Sequence, residues 1–158
     1  MSKTEKVFVL KTTKFGESDL IVQALNSQGA KVGLMAKGAR NSKKRFGGGV
    51  LEPTHYIRVT YKDASKKYDG AQLHFLEEAQ VENSFSGIRA DYERLELALY
   101  FVKLVEKVSL EGVLDSKESF DLLGNALNAL ETSDNLSHLK THFELKFLYQ
   151  QGILPPYL

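Results

Sequence analysis

The chain has 158 residues, of which 42% are hydrophobic and 26% are charged, and its formal net charge is +1. This composition is typical of a globular protein with room for one ordinary domain or two small ones. The absence of cysteine from the sequence excludes disulfides and thiolate metal sites in this chain. The apolar stretches are too short to cross a membrane and no apolar signal segment stands at the N-terminus, so we expect a cytoplasmic protein.

The charge is distributed unevenly along the chain. Residues 1–80 contain 14 lysines and arginines against 8 acidic residues, whereas residues 81–158 contain 7 against 12; together these are the 21 basic and 20 acidic residues of the chain. A basic first half followed by an acidic second half indicates two units with different partners.

The first half predicts five β-strands. Runs of β-branched and aromatic residues, bounded by turn residues, mark these strands at 6–11, 20–25, 30–36, 55–61 and 68–79. Strands of this length and spacing are typical of a small antiparallel barrel, and the oligonucleotide-binding (OB) barrel has five of them. We therefore predict an OB-fold domain over residues 1–80.

Beyond residue 82 the period of the apolar residues changes from two to about 3.6, which predicts helices. The helices are expected at 88–110, 115–131 and 136–151. The predicted fold class is thus a β-barrel followed by a small all-helical domain over residues 81–158.

The ends of the predicted helices carry recognisable signals. Asp115, followed three residues later by Glu118, marks the start of the second helix, and residues 132–135 supply a turn and a cap for the third. Gly152 ends the third helix, and prolines at 155–156 prevent it from restarting.

The segment 37–49, between the third and fourth predicted strands, is the strongest functional signal. It carries five cations, four glycines, one aromatic ring and no anion. A short basic stretch is often only a solvated loop, but a loop held on a rigid sheet can grip a phosphate backbone. The residues predicted to bind nucleic acid are Lys31, Lys37, Arg40, Lys43, Lys44, Arg45 and Phe46.

Aromatic rings near this segment offer surfaces on which bases can stack. Phe46 lies within it, and Tyr56 and Tyr61 lie on the fourth predicted strand. Ordinary sheet packing is the alternative for the tyrosines. Such a surface binds strands with little sequence preference and loses affinity steeply as the salt concentration rises.

The motifs of common enzyme classes are missing from the sequence. Gly33 and Gly38 have the glycine spacing of a phosphate-binding loop, but Ala39 stands where that loop requires lysine. The chain has no cysteine nucleophile and no Gly-x-Ser-x-Gly motif. We therefore predict a protein that is not an enzyme, with no catalytic residues and no cofactor.

The four histidines do not predict a metal site. His138 and His142 lie four residues apart on a predicted helix, but Leu139 stands where a zinc peptidase has glutamate, and no third ligand is evident. His55 and His74 lie on strand patterns and are interpreted as structural.

Several short motifs in the first third of the chain occur in a characteristic order. They are Val9-Leu-Lys-Thr12, Phe15-Gly-Glu-Ser-Asp19, Ile21-Val22, Lys31-Val32, Lys37-Gly-Ala-Arg40, Arg45-Phe-Gly-Gly48 and Leu51-Glu-Pro53. In order and spacing they resemble the N-terminal half of the bacterial DNA repair protein RecO family. The helical half resembles that family mainly by pattern, with residues 143–148 and Gly152 similar to its last helix before a zinc segment.

The resemblance implies an OB-fold domain followed by a helical domain in a non-enzymatic, nucleoid-associated recombination mediator. Such a protein binds single- and double-stranded DNA and anneals complementary strands. The implied partners are RecR and the C-terminal tail of single-stranded DNA-binding protein, and through them the RecA recombinase that is loaded onto gapped DNA. The matching motifs carry Lys37, Arg40 and Arg45 over as DNA contacts, whereas Lys43 and Lys44 are expected on charge alone.

The chain departs from the family in two respects. Many members bear a four-cysteine zinc site beyond the segment that matches here, and this chain has no cysteine. The resemblance also implies more helix than residues 81–158 supply, so we expect a helical domain that is truncated relative to the family.

Two other classes of function stay open. The first is an adaptor whose barrel and apolar helix faces bind partner proteins instead of DNA. The second and weaker one is a ribosomal or RNA-binding OB protein. DNA affinity at moderate salt distinguishes the adaptor, and competition between RNA and DNA distinguishes the RNA-binding protein.

Replacing Arg40, Lys43, Lys44 and Arg45 together with alanine tests the basic segment. We expect a strong loss of DNA affinity with little change in thermal stability, because exposed cations contribute little to folding. Binding to a labelled single-stranded oligonucleotide and a thermal unfolding curve measure the two quantities. Unchanged DNA affinity would contradict the assignment.

Overall fold

The structure is a computed structural model of the chain, and it describes residues 1–63, 67, 68, 71–109 and 117–154. The strands are β1 (Ser2–Phe15), β2 (Asp19–Asn26), β3 (Lys31–Ala36), β4 (Tyr56–Lys62), β5 (Lys67–Tyr68), β6 (Ala71–Gln72) and β7 (His74–Asn83). The helices are α1 (Ser86–Arg89), α2 (Tyr92–Val108), α3 (Lys117–Thr132) and α4 (Leu136–Gln150). Strands therefore precede helices along the chain, as predicted.

Five of the strands close into a barrel in the order β1-β2-β3-β7-β4. Neighbouring strands are antiparallel except β3 and β7, which pair in parallel. β1 is long enough to serve two neighbours, because it pairs with β4 from Ser2 to Phe8 and with β2 from Val7 to Phe15. This closed five-stranded barrel confirms the predicted OB fold.

The fifth predicted strand, residues 68–79, is divided in the structure. Tyr68 lies in β5, which forms a separate two-stranded sheet with β6, and β7 alone joins the barrel. The chain passes close to β3 just before β7, since a Cβ atom at Gly33 would lie 2.8 Å from the carbonyl oxygen of Gln72. Glycine at that position allows this approach. β7 then continues to Asn83, beyond the predicted end of the barrel domain at residue 80.

Alternate residues of the barrel strands fill its interior. Those with no exposed surface are Val7, Val9, Val22, Ala24, Leu34, Ala36, Ile57, Val59 and Leu76. Successive side chains of a strand point to opposite faces, so the residues between them point outward. On β1 the outward residues Phe8 and Leu10 are buried as well, because they pack among residues of the helices.

The outer face of β1 and the helices form a second hydrophobic core, on the outside of the barrel. Phe8 is 4% exposed, and its ring centroid lies 4.7 Å from that of Tyr56 on β4 and 5.1 Å from that of Phe120 on α3. Farther from the barrel, Phe101 of α2 stacks on Phe143 of α4 with centroids 4.0 Å apart. The barrel and the helices therefore pack directly on one another.

The first predicted helix is interrupted. α1 ends at Arg89, and α2 begins after Asp91, whose side chain accepts a hydrogen bond from the backbone N–H of Glu93 at 3.0 Å. Asp91 has an extended backbone conformation, so it caps the second helix and separates it from the first. The prediction of one continuous helix from residue 88 is wrong at this point, because the cap lies inside the apolar pattern.

The end signals of α4 act as predicted. Asn135 caps this helix by accepting a hydrogen bond from the backbone N–H of His138 at 3.0 Å, and Gly152, with a φ of 75°, ends it. The predicted cap at Asp115 and the prolines at 155–156 lie outside the described residues. No helix in the described part of the chain is long and apolar enough to cross a membrane.

The position of Phe8 between barrel and helices gives a stability prediction. Replacing Phe8 with alanine leaves a cavity in the shared core, so we expect the free energy of unfolding to fall by about 3–5 kcal/mol. Urea unfolding followed by circular dichroism measures this change. The matched control is Leu145→Ala, at an α4 residue that is 53% exposed, with an expected change below about 0.5 kcal/mol. Equal effects of the two substitutions would contradict the role of Phe8.

Candidate nucleic-acid interface

The basic loop (residues 37–49) packs onto the core of the barrel. Ala39 and Phe46 within the loop are 7% and 6% exposed, and Val50 and Leu51 directly after it are each 4% exposed. All four belong to the barrel core. These apolar residues anchor the loop, so the cations between them are held against the barrel.

The aromatic residues that were expected to stack on bases are engaged in packing. Phe46 is 6% exposed and Tyr61 is 2% exposed, so neither ring presents a face to a base. The Tyr61 hydroxyl donates a hydrogen bond to the Glu5 carboxylate, and burial together with this bond raises the pKa of Tyr61. Tyr56 packs against Phe8 in the second core. These positions correct the expected stacking role of Phe46 and favour sheet packing for both tyrosines.

Lys31 also has a structural partner. Its Nζ atom lies 3.0 Å from Oε1 of Glu106 and 3.2 Å from the Glu106 carbonyl oxygen on α2. The two side chains are 16% and 19% exposed. This pair holds β3 to α2 and compensates the lysine charge, so Lys31 does not belong with the open cations of the loop.

Arg40 and Asp19 tie the basic loop to the turn between β1 and β2. Nη1 of Arg40 donates to the carbonyl oxygen of Gly16 at 3.3 Å and to that of Glu17 at 3.0 Å. The Asp19 carboxylate accepts a hydrogen bond from the backbone N–H of Gly38 at 2.8 Å. These partners are neutral carbonyl groups, and among the described residues no carboxylate pairs with the Arg40 guanidinium.

Arg45 ties the other part of the loop to β7. Its Nε donates to the carbonyl oxygen of Glu77 at 3.0 Å, and its Nη2 donates to that of Leu76 at 3.1 Å. The guanidinium also lies 4.8 Å from the centroid of the Phe46 ring. Because Arg40 and Arg45 both hold the loop, their replacement with alanine is expected to lower thermal stability as well as positive charge. This revises the expectation from sequence that the four-alanine variant keeps its thermal stability.

Lys37, Lys43 and Lys44 are the open cations of the loop, and all three are exposed. Within the described residues, no ion pair involves these lysines or the two arginines of the loop. A Cβ atom at Gly47 would lie 2.4 Å from the Lys43 carbonyl oxygen, so glycine allows the tight turn that follows the lysines. The loop thus presents five positive charges that have no carboxylate partner in the described part of the chain.

Arg89 of α1 holds the segment that leads from the basic loop into β4. Its guanidinium donates to the Pro53 carbonyl oxygen at 2.9 Å, to the Thr54 hydroxyl at 3.1 Å and to Nε2 of His55 at 3.1 Å. It also pairs with the Glu52 carboxylate at 3.1 Å. Thr54 has a φ of 83°, a conformation that residues other than glycine keep only when their surroundings impose it. The helical half therefore fixes this end of the candidate interface.

His55 is neutral in this arrangement. It is 5% exposed, and its Nε2 accepts from Arg89, which leaves Nδ1 to donate to the Val50 carbonyl oxygen at 3.2 Å. Burial lowers the pKa of His55, the bond to Val50 opposes this change, and the charge of Arg89 lowers the pKa further, so that the net direction is downward. This environment agrees with the structural role predicted for His55.

The remaining histidines lie apart from the basic loop along the chain. His138 and His142 are exposed on α4 with ring centroids 6.4 Å apart. The ring of His74 lies 5.2 Å from that of Tyr61, and its Nδ1 lies 3.5 Å from the Asp63 carboxylate. In the part of the chain that the structure describes, no three histidine, aspartate or glutamate residues are grouped to hold a metal ion.

Comparison with known proteins identifies the family. The family model described as "Recombination protein O N terminal" matches residues 1–85, and the one described as "Recombination protein O C terminal" matches residues 89–157. The chain belongs to the recombination protein O family. This result confirms the resemblance seen in the motifs of the first third, and the two matched regions meet at α1.

Curated relatives of this family are similar over nearly the whole chain. The DNA repair protein RecO of Maridesulfovibrio salexigens is 34% identical over 157 residues, which cover 99% of this chain and 61% of the relative. That of Syntrophus aciditrophicus is 39% identical over 153 residues, covering 97% and 56% respectively. That of Alkaliphilus metalliredigens is 31% identical over 154 residues, covering 97% and 59%. The chain therefore spans 56% to 61% of the length of these curated relatives.

The buried His55 gives a prediction of pH dependence. Its pKa is lower in the folded state than in the unfolded chain, so the unfolded chain binds the proton more readily. The stabilising contribution is complete above the unfolded value of about 6.5 and is lost as the pH falls through the lower folded-state pKa. The urea concentration at the unfolding midpoint is expected to fall when the pH is lowered from about 7.5 to about 5. This fall is expected to be larger in the parent than in His55→Gln.

The control for this experiment is His142→Gln, which removes an exposed histidine of α4. We expect it to keep the pH dependence of the parent. If His55→Gln kept the same dependence, the neutral state assigned to His55 would be wrong.

Proposed function

We propose that this protein is a non-enzymatic DNA-binding protein of recombinational repair, which binds DNA strands and anneals complementary ones. Membership of the recombination protein O family supports the biological process. The structural observation that carries the proposal is the basic loop, with five cations that have no carboxylate partner among the described residues and that stand on an OB barrel. Each such cation can replace counterions at a phosphate, which is the main source of sequence-independent affinity for DNA.

A loop whose backbone is already held favours binding, because only the cation side chains lose freedom when the strand arrives. The contacts of Arg40 and Arg45 with backbone carbonyls hold the loop, so Lys37, Lys43 and Lys44 extend from a backbone that hydrogen bonds keep in place. A surface that is organised in advance loses less entropy on binding. Phosphate contacts position a strand without reading its sequence. We therefore expect DNA binding that is independent of sequence and sensitive to salt.

Strand annealing follows from the same charge. Two complementary strands repel each other through their phosphates, and a cationic surface that neutralises several phosphates lowers this repulsion. Annealing forms no covalent bond, so it requires no catalytic residue. The same surface can therefore serve both binding and annealing.

The proposed protein partners follow from the family. They are RecR and the C-terminal tail of single-stranded DNA-binding protein, which together assist the loading of RecA on gapped DNA in the cytoplasm. We assign them to the helical half, where 12 acidic residues stand against 7 basic ones, because a negative surface disfavours DNA.

An adaptor that binds proteins instead of DNA is the alternative function. Leu145, Tyr149 and Ile153 follow one another at four-residue spacing on and just after α4, and they are 53%, 52% and 66% exposed. Exposed apolar residues that form one patch mark a surface for protein contacts. A pure adaptor would show no DNA affinity at moderate salt, whereas the proposed mediator would retain it.

The open lysines provide the test of DNA binding. In the variant Lys37→Gln, Lys43→Gln, Lys44→Gln we expect the affinity for single-stranded DNA to fall about 100-fold at about 0.1 M salt, because each phosphate contact contributes about 0.7 log units per log unit of salt. The slope of log affinity against log salt is expected to fall by about 2. Fluorescence anisotropy of a labelled oligonucleotide over a salt series measures both quantities, and the rate of annealing of two complementary strands is expected to fall with them.

The matched control removes three exposed lysines from the helices, in the variant Lys103→Gln, Lys117→Gln, Lys146→Gln. The net charge changes equally in the two variants. A similar loss of DNA affinity in both would therefore show a general charge effect and contradict the assignment of DNA binding to the loop. A parent protein without affinity at low salt would favour the adaptor.

A further inference from the structure

Two exposed phenylalanines lie on the barrel. The chain has nine phenylalanines. Phe15 is 39% exposed and Phe75 is 38% exposed, whereas the other seven are buried or half-buried. Single exposed apolar residues are common on protein surfaces, so exposure by itself assigns no role. The two residues also directly precede the backbone groups that anchor the basic loop, and this position points to a role.

Phe15 lies beside the anchor that Arg40 makes. It directly precedes Gly16, whose carbonyl oxygen accepts a hydrogen bond from Nη1 of Arg40 at 3.3 Å. On β2, Phe15 is paired with Asp19. The Asp19 carboxylate accepts a hydrogen bond from the backbone N–H of Gly38 at 2.8 Å. Phe15 therefore lies on the strand end to which the first part of the basic loop is attached.

Phe75 lies beside the anchor that Arg45 makes. It directly precedes Leu76, whose carbonyl oxygen accepts a hydrogen bond from Nη2 of Arg45 at 3.1 Å. Leu76 points into the barrel core and is fully buried, so the Phe75 side chain points to the outer face of the strand. The residue paired with Phe75 on β4 is Lys62, which is exposed and adds a cation beside the ring.

We infer that Phe15 and Phe75 are base-stacking residues, one at each arginine anchor of the basic loop, and that their ligand is the unpaired base of single-stranded DNA. The inference rests on the proposed DNA binding. It adds the recognition of the bases, which the cations of the loop do not contact. Aromatic rings beside a cationic surface bind single strands, because the phosphates meet the charges while the bases stack. In a duplex the bases are already stacked and paired, so the two rings favour single strands over duplex DNA.

This role separates the effect of the rings from that of the charges. In Phe15→Leu and in Phe75→Leu we expect the affinity for oligothymidine to fall about 5- to 150-fold, the usual range for loss of one stacked base. The affinity for duplex DNA and the salt slope are expected to stay unchanged, because no charge is removed. Tyr149→Leu, at a residue of α4 that is 52% exposed, is the matched control and is expected to bind like the parent.

A direct signal of stacking is available because the chain contains no tryptophan. In Phe15→Trp and in Phe75→Trp the single indole is expected to lose emission when oligothymidine binds, since a stacked base quenches it. An abasic strand of the same length offers phosphates without bases and is expected to leave the emission nearly unchanged at saturation. Tyr149→Trp is the control position on α4.

Three outcomes decide between the possibilities. Quenching of both barrel tryptophans by oligothymidine but not by the abasic strand supports the inference. Binding of labelled oligothymidine without quenching at either position overturns it and leaves the proposed DNA binding through cations intact. Absence of binding by the folded parent at low salt overturns the proposed function and this inference together. A circular dichroism spectrum of each variant establishes that it is folded.

Discussion

The candidate interface depends on the burial of Phe46 and Val50 in the barrel core. Complete burial of such side chains is worth about 1.5–3 kcal/mol each, which is more than a surface ion pair contributes. These two residues anchor the second part of the basic loop, and the buried Ala39 anchors its first part. The hydrogen bonds from Arg40 and Arg45 to backbone carbonyls then orient the loop on the barrel. A loop without apolar anchors would carry the same charge, but its cations would have no defined position on the protein surface.

The architecture could be predicted because it follows from periodicity. The change from alternation to a 3.6-residue period separates barrel from helices, and strand-like runs indicate the barrel. The role of Phe46 could not be predicted, because a loop has no period that distinguishes a ring facing the core from a ring facing solvent. The pairing of Lys31 with Glu106 joins residues 75 positions apart, so it appears only when β3 and α2 are placed together. The exposed phenylalanines, Phe15 and Phe75, lie in sequence patterns like those of any other strand residue.

The basic and acidic halves of the chain are parts of one packed body. Phe8 inserts between the barrel and the helices, and Arg89 reaches from α1 to the segment that follows the basic loop. Unequal charge along a sequence therefore does not require separate units in space. A protein bound to the helices and a strand bound to the barrel would therefore bind to two sides of one shared core.

The closed order of the strands has a kinetic consequence. β1 and β2 are neighbours along the chain, but β1 meets β4 through Ser2 and Lys62, and β3 meets β7 through Leu34 and His74. Contacts between distant segments form slowly, because long stretches of chain must first be brought together. During synthesis the ring cannot close before β7 has left the ribosome. Until then the core that receives the anchors of the basic loop is incomplete, so this loop is among the last parts of the barrel to take its final position.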